Sequence, residues 1–152
     1  MILVSSCLAG NKVRYDGGHC LQEVIETLVR EGKAVTVCPE VMGGMSTPRE
    51  PSEIIGGDGF DVLDGRARVV SISGEDGTEA FLKGANEALQ VARKYSATTI
   101  VLKEESPSCG SSLVYDGTFT GMKVNGHGVT AALFKREGYD VYNEKQWLKQ
   151  WE

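Results

Sequence analysis

The chain has no Cys-x-x-Cys pair, although it carries Cys7, Cys20, Cys38 and Cys109. Thioredoxin-type exchange and the common zinc ribbons rest on such pairs, so both lose their usual signature. No apolar run approaches the roughly 20 residues of a membrane span. The opening "MILVSSCLAG" lacks the basic segment of a secretory signal, and its apolar part is too short for one. No run of Lys and Arg offers a footprint for phosphates, and the net charge is −5 with a pI near 5.1. Both argue against binding to polymeric nucleic acid. The glycines fall outside the spacings of a G-x-G-x-x-G or P-loop motif, which leaves a dinucleotide or triphosphate site weakly supported. There is no internal repeat, low-complexity tract or linker.

What is there is an ordinary globular composition. The 152 residues are 41% hydrophobic and 24% charged, enough for one domain over residues 1–152 with a real core. With no membrane span and no secretory leader, the expected location is cytoplasmic. In a reducing cytosol the four cysteines are ligands, nucleophiles or inert thiols sooner than disulfides.

The patterning is that of an α/β protein. "ILVS", "AVTVC" and "TTIVL" are short apolar runs that predict buried strands, and "YDVY" predicts a last one. Leu21, Val24, Ile25 and Leu28 recur on one helical face, and Gly32 ends that helix. Thr78–Tyr95 is the clearest helix, with Phe81, Ala85, Ala88, Ala92 and Tyr95 as its stripe. Val129–Arg136, ended by Gly138, and Glu144–Trp151, with Trp147 and Leu148 inward, are predicted as two more. "PEVMGGMSTPREP" reads as a long loop. The Gly-Gly and Asp-Gly breaks in residues 53–74 predict a small excursion, and "SLVYDGTFTGM" a hairpin turning at Asp116-Gly117. Strands separated by amphipathic helices imply a Rossmann-like three-layer sandwich, with a mostly parallel sheet and helices on both faces.

Cys7 follows "ILVSS", Cys38 follows "AVTV", and Cys109 follows "TIVLKEESPS". Each stands at or just beyond the carboxyl end of a predicted parallel strand, the edge at which open α/β sheets bind ligands. Three thiols from distant positions are therefore expected in one crevice. Cys20 lies elsewhere. Three thiolates suit an iron–sulfur cluster with one iron left open, or a zinc ion with a bound water. Each thiol taken alone also fits a small buried core residue.

The stretches "SSCLAGNKVRYDGG", "VCPEVMGGMSTPREPSE", "KEESPSCG" and "DGTFTGMKVNGHGVTAALF" together resemble the thiouracil desulfidase family over nearly the whole chain. The resemblance implies a single desulfidase-like domain with a [4Fe-4S] cluster on Cys7, Cys38 and Cys109. It also implies hydrolytic removal of sulfur from a thiolated pyrimidine nucleobase, without net redox change.

The neighbouring residues suggest further roles on chemical grounds. Glu40, two residues beyond Cys38, is a candidate general base or else a surface loop carboxylate. Ser106 is a candidate partner of substrate or water, or a turn-stabilising hydroxyl. Lys103 is a candidate positive charge beside the thiolates, or a solvated strand-end lysine. Arg14 and Tyr15 are candidate substrate contacts, Tyr15 by stacking on a planar base; the alternative is a loop-fixing ion pair. Arg49 and Glu53, flanking Pro51, are expected to pair with each other. His127 is expected in a turn, and His19 carries no expected role. Two rivals to an iron–sulfur desulfidase remain on this reading: a zinc hydrolase with the same thiolates, and a non-enzymatic metal- or sulfide-binding module.

Overall fold

A computed structural model of the chain describes residues 1–10, 15–16, 22–104 and 106–149. In chain order the strands are β1 (Ile2–Ser5), β2 (Ala34–Val37), β3 (Ser52–Ile55), β4 (Arg68–Ser71), β5 (Thr99–Leu102), β6 (Leu113–Tyr115), β7 (Lys123–Asn125) and β8 (Asp140–Asn143). The α-helices are α1 (Glu23–Arg30), α2 (Pro39–Met42), α3 (Gly59–Leu63), α4 (Thr78–Lys94), α5 (Val129–Arg136) and α6 (Glu144–Leu148). A single 3-10 turn, Ser6–Ala9, follows β1.

The central sheet is four-stranded and wholly parallel, in the order β2-β1-β5-β8. Alternation along each strand decides its two faces. Leu3, Ile100 and Leu102 point into a core built with Phe81, Ala85 and Ala88 of α4 and Phe134 of α5. Val4 and Val101 point the other way, into a second core with Ile25 and Leu28 of α1 and Trp147 of α6. The result is the three-layer arrangement with helices on both faces. Two small antiparallel pairs, β3-β4 and β6-β7, stand outside the main sheet. No helix among the described residues is long and apolar enough to cross a membrane.

Three details depart from the pattern reading. The stretch after Cys38 is not all loop: Pro39–Met42 forms one helical turn, α2, with Pro at its first position, where its missing N–H costs nothing. Tyr95 does not share the buried stripe of α4; it caps the helix and is 45% exposed. The hairpin does not close at Asp116-Gly117, because β7 starts only at Lys123 and residues 116–122 form a broad turn. The last helix runs over Glu144–Leu148, and its expected end at Trp151, like Leu21 of the first helix, lies outside the described residues. The excursion exists, and it carries α3, started by a capping box between Asp58 and Asp61.

α2 lies directly on α4, backbone to backbone. A Cβ on Gly84 would sit 1.8 Å from the Pro39 carbonyl oxygen, and one on Gly43 would sit 2.0 Å from that of Ala80. Only glycine permits this approach, and it fixes the turn that follows Cys38.

Candidate active site

The crevice lies beyond the carboxyl ends of β2, β1 and β5, three neighbouring strands. Cys7 sits in the 3-10 turn after β1, and Cys38 is the residue before α2. Cys109 stands in the turn after β5. All three line one cavity of about 380 Å³, shared with Glu40, Arg49, Lys103, Ser106 and Tyr15. Pro51, Ile72, Tyr115 and Phe119 also line it. Strand tips in a parallel sheet are about 4.8 Å apart, so the turns that follow three adjacent strands open onto one edge of the sheet.

The thiols are shielded from water. Cys7 and Cys109 are buried and Cys38 is partly so. Burial pushes the Cys109 thiol far above its ordinary value; a hydrogen bond with Ser5 offsets part of this, and the charges of Glu40, Cys38 and Cys7 add to it. Cys38 is raised as well, first by burial, against a backbone hydrogen bond from Val41. Burial of this kind keeps the Cys38 and Cys109 sulfurs protonated unless a positive centre joins them.

Glu40 and Arg49 form a buried pair. Arg49 Nε and Nη2 both donate to Glu40 Oε2, at 2.9 and 2.6 Å, with side chains only 7% and 16% exposed for Arg49 and Glu40. Arg49 therefore does not pair with Glu53 as expected: the fold-back of residues 43–48 carries its guanidinium to Glu40 instead. Arg49 Nη1 donates to the Ser46 carbonyl at 3.1 Å, which fixes that fold-back.

Ser106 is found in the turn-stabilising role, with a further bond to the neighbouring carboxylate. Its Oγ donates to Glu40 Oε1 at 3.2 Å and accepts from the N–H groups of Ser108 and Cys109, at 3.0 and 3.2 Å. It thus ties the Cys109 turn to the carboxylate. Lys103 lines the cavity and is not simply solvated: its Nζ lies 3.7 Å from Glu144 Oε1 and donates to the Glu104 carbonyl at 3.1 Å. Tyr15 lines the cavity and is 40% exposed, and its carbonyl accepts from Arg49 N–H at 2.6 Å. Arg14, His19 and Cys20 lie outside the described residues. His127 does not line the cavity. It stands between Lys135, at 2.8 Å from Nε2, and Asp58, at 3.6 Å from Nδ1. Burial first, then Lys135, hold its pKa below the ordinary value.

Glu104 escapes a reading of the sequence alone. It is 3% exposed, and its Oε1 accepts three successive N–H groups, from Ser111, Ser112 and Leu113, at 2.9, 3.1 and 3.0 Å. Oε2 accepts from Ser112 Oγ at 2.7 Å and Asn143 Nδ2 at 2.6 Å. Burial pushes this carboxyl up, but the hydrogen bonds from Ser112, Leu113 and Asn143 outweigh it and bring the pKa from 4.5 down to about 2. The turn that carries Cys109 is thus tied at its far end to the tips of β5 and β8. In the sequence Glu104 is one member of the charged triplet 103–105, with nothing to single it out.

Comparison with known proteins agrees with this architecture. Residues 2–146 match the family model described as 2-thiouracil desulfurase. The chain is 56% identical over 146 residues to YbbK, an uncharacterised protein of Bacillus subtilis (strain 168), a match covering 96% of this chain and 97% of YbbK. It superposes with a TM-score of 0.85 on a solved structure described as the [4Fe-4S]-dependent thiouracil desulfidase TudS. That match is 41% identical and covers 97% of this chain and 93% of the other.

Proposed function

Because the chain belongs to the 2-thiouracil desulfurase family, we propose that it is a desulfidase acting on thiolated pyrimidine nucleobases at a [4Fe-4S] cluster held by Cys7, Cys38 and Cys109. The balanced reaction is thiouracil plus water to uracil plus hydrogen sulfide, with no electron gained or lost. The observation that carries the proposal is the meeting of three thiols with a carboxylate and a hydroxyl in one cavity. The reading takes the chain as a single catalytic domain that works in the cytoplasm on a small molecule.

The donor set fits the cluster. Three soft sulfurs leave one iron of a four-iron core without a protein ligand. The likeness, at 41% identity, to a thiouracil desulfidase described as [4Fe-4S]-dependent favours the cluster over the zinc hydrolase. When bound, such a cluster supplies a thiophilic Lewis acid for the thiocarbonyl sulfur.

The protein's own groups do the rest. Glu40 takes a proton from the attacking water at Oε1, the oxygen that faces Ser106. Arg49 holds the other oxygen and so fixes the carboxylate plane. Ser106 works through its neighbours: its O–H steadies Glu40 Oε1, and its two lone pairs take the Ser108 and Cys109 N–H groups and so hold the Cys109 turn in place. Lys103 adds positive charge beside the thiolates. Tyr15 stacks on the base, and Arg14 is retained as a substrate contact by sequence position alone.

The test is iron and acid-labile sulfide content after anaerobic reconstitution, followed by chromatographic detection of uracil from thiouracil. About four irons and four sulfides per chain with uracil release are expected. Zinc with no iron uptake, or a full cluster with no uracil, would overturn the proposal.

A further inference from the structure

The broad turn between β6 and β7 is held in an unusual way. Phe119, at its centre, has φ +58. A bulky residue rarely adopts the left-handed region, and such strain persists only where the surroundings impose it, commonly at ligand clamps. The imposing group is Glu53 of β3. Its side chain is buried, with the residue 8% exposed, and Oε1 accepts from the N–H groups of Gly117 and Phe119, at 2.9 and 3.2 Å. A carboxylate taken out of water needs hydrogen bonds, and here they come from this turn. Gly117, at φ +93, lies so close to β3 that a Cβ would stand 2.7 Å from the Ile54 carbonyl oxygen. The turn is therefore pressed onto β3 and pinned there, and Phe119 is thereby made a wall of the cavity that holds the thiols.

We infer that Phe119 is a substrate-contacting residue that receives the flat face of the pyrimidine ring, and that Glu53 is the positioning residue that holds it in place. This rests on the desulfidase reading of the same cavity. The chemistry at the thiols and Glu40 acts on one exocyclic sulfur, and that sulfur can be aimed only if the ring plane is fixed. An aromatic face does this for any base because every base has a π-face, and Tyr15 and Tyr115 line the same cavity.

The experiment compares wild type, Phe119→Leu, Glu53→Ala and Glu53→Gln as reconstituted holoenzymes with matched iron content. Thiouracil turnover is measured together with thiouracil and uracil binding by calorimetry. Phe119→Leu keeps the apolar bulk and removes the plane; KM and both dissociation constants should rise about 10-fold, the usual range for a lost stacking contact, and kcat should fall as well because the sulfur is no longer aimed. Glu53→Ala should reproduce that change, and Glu53→Gln, which keeps the acceptor oxygen, should restore near wild-type KM. Glu53 acting on stability alone would leave KM unmoved in both variants and overturn the positioning role. Should Glu53→Ala fail to fold, Phe119→Leu and Glu53→Gln carry the test. A wild type that binds thiouracil without turning it over refutes the desulfidase reading, yet weaker binding by Phe119→Leu would still support the wall. Equal binding by wild type and Phe119→Leu, or no binding by wild type, overturns it.

Discussion

Arg49 grips Glu40 by one oxygen only: both guanidinium contacts, at 2.9 and 2.6 Å, fall on Oε2, and Oε1 faces the Ser106 hydroxyl at 3.2 Å. The two oxygens of one carboxylate are thereby assigned different work, one to orientation and one to the cavity. Glu40→Gln keeps the size and one acceptor but cannot take a proton at neutral pH. The variant should keep its cluster and still show a spectral change on adding thiouracil, while turnover falls about 10²–10⁴-fold. The visible spectrum and the rate, taken on the same anaerobic sample, check this. Full activity in Glu40→Gln would move the proton work elsewhere.

Replacing Cys7, Cys38 or Cys109 by Ser should each abolish most of the iron and sulfide uptake, because a hydroxyl is a poor donor for this metal centre. Cys20→Ser should retain both. Metal analysis after identical reconstitution decides it, and dependence on Cys20 with Cys38 dispensable would refute the ligand set.

The Glu104 carboxyl makes stability depend on acid. Its pKa falls from 4.5 to about 2 on folding, so the stabilisation is fully present above about 4.5 and is lost as the pH drops through about 2. Glu104→Gln should flatten the stability profile over that window. It should also destabilise at pH 7 by about 1–3 kcal/mol, because an amide N–H₂ would then oppose the donors of Ser112 and Asn143. Urea unfolding of metal-free protein between pH 2 and 7 measures both effects, and parallel profiles for the two proteins would contradict the assignment.

Gly84→Ala tests whether the contact between α2 and α4 sets the site. The new methyl would collide with the Pro39 carbonyl, which lies 1.8 Å from its ideal position. Overpacking of this kind costs about 1–3 kcal/mol, and relief by moving α2 displaces Cys38 and Glu40 together. A lowered melting temperature with slower turnover is expected. A drop in stability with unchanged turnover would show that the site tolerates the shift.

Much of this was legible as pattern, for a physical reason. The strands of a parallel sheet are buried on both faces, so "ILVS", "AVTV" and "TIVL" stand out as continuous apolar runs, and the residues beyond them fall at one edge. The long α4 repeats its apolar stripe often enough to be unmistakable. One turn of helix, as in α2, is too short to show any period. Nor does sequence reveal which cation Glu40 meets, since that depends on how residues 43–48 fold back. Glu104 is indistinguishable from Lys103 and its other neighbour until Ser111–Leu113 return to cover it. Charged groups disclose their partners only through tertiary structure, whereas apolar periodicity is written locally.

The strand order β2-β1-β5 also governs when the site can exist. β1 is synthesised first but occupies the middle, and it pairs with β2 on one side and β5 on the other. Until Thr99–Leu102 has left the ribosome and docked, the third wall is absent, and Cys109 comes later still. A group held by all three thiols can therefore be accepted only after nearly three-quarters of the chain has been made. Once accepted, it links segments far apart in sequence and resists their separation as a cross-link would, because it binds the folded chain and not the unfolded one. The topology thus orders these events in time: β1, β2 and β5 must be in place before one group can be held by all three thiols, whereas the edge strand β8 is made later still.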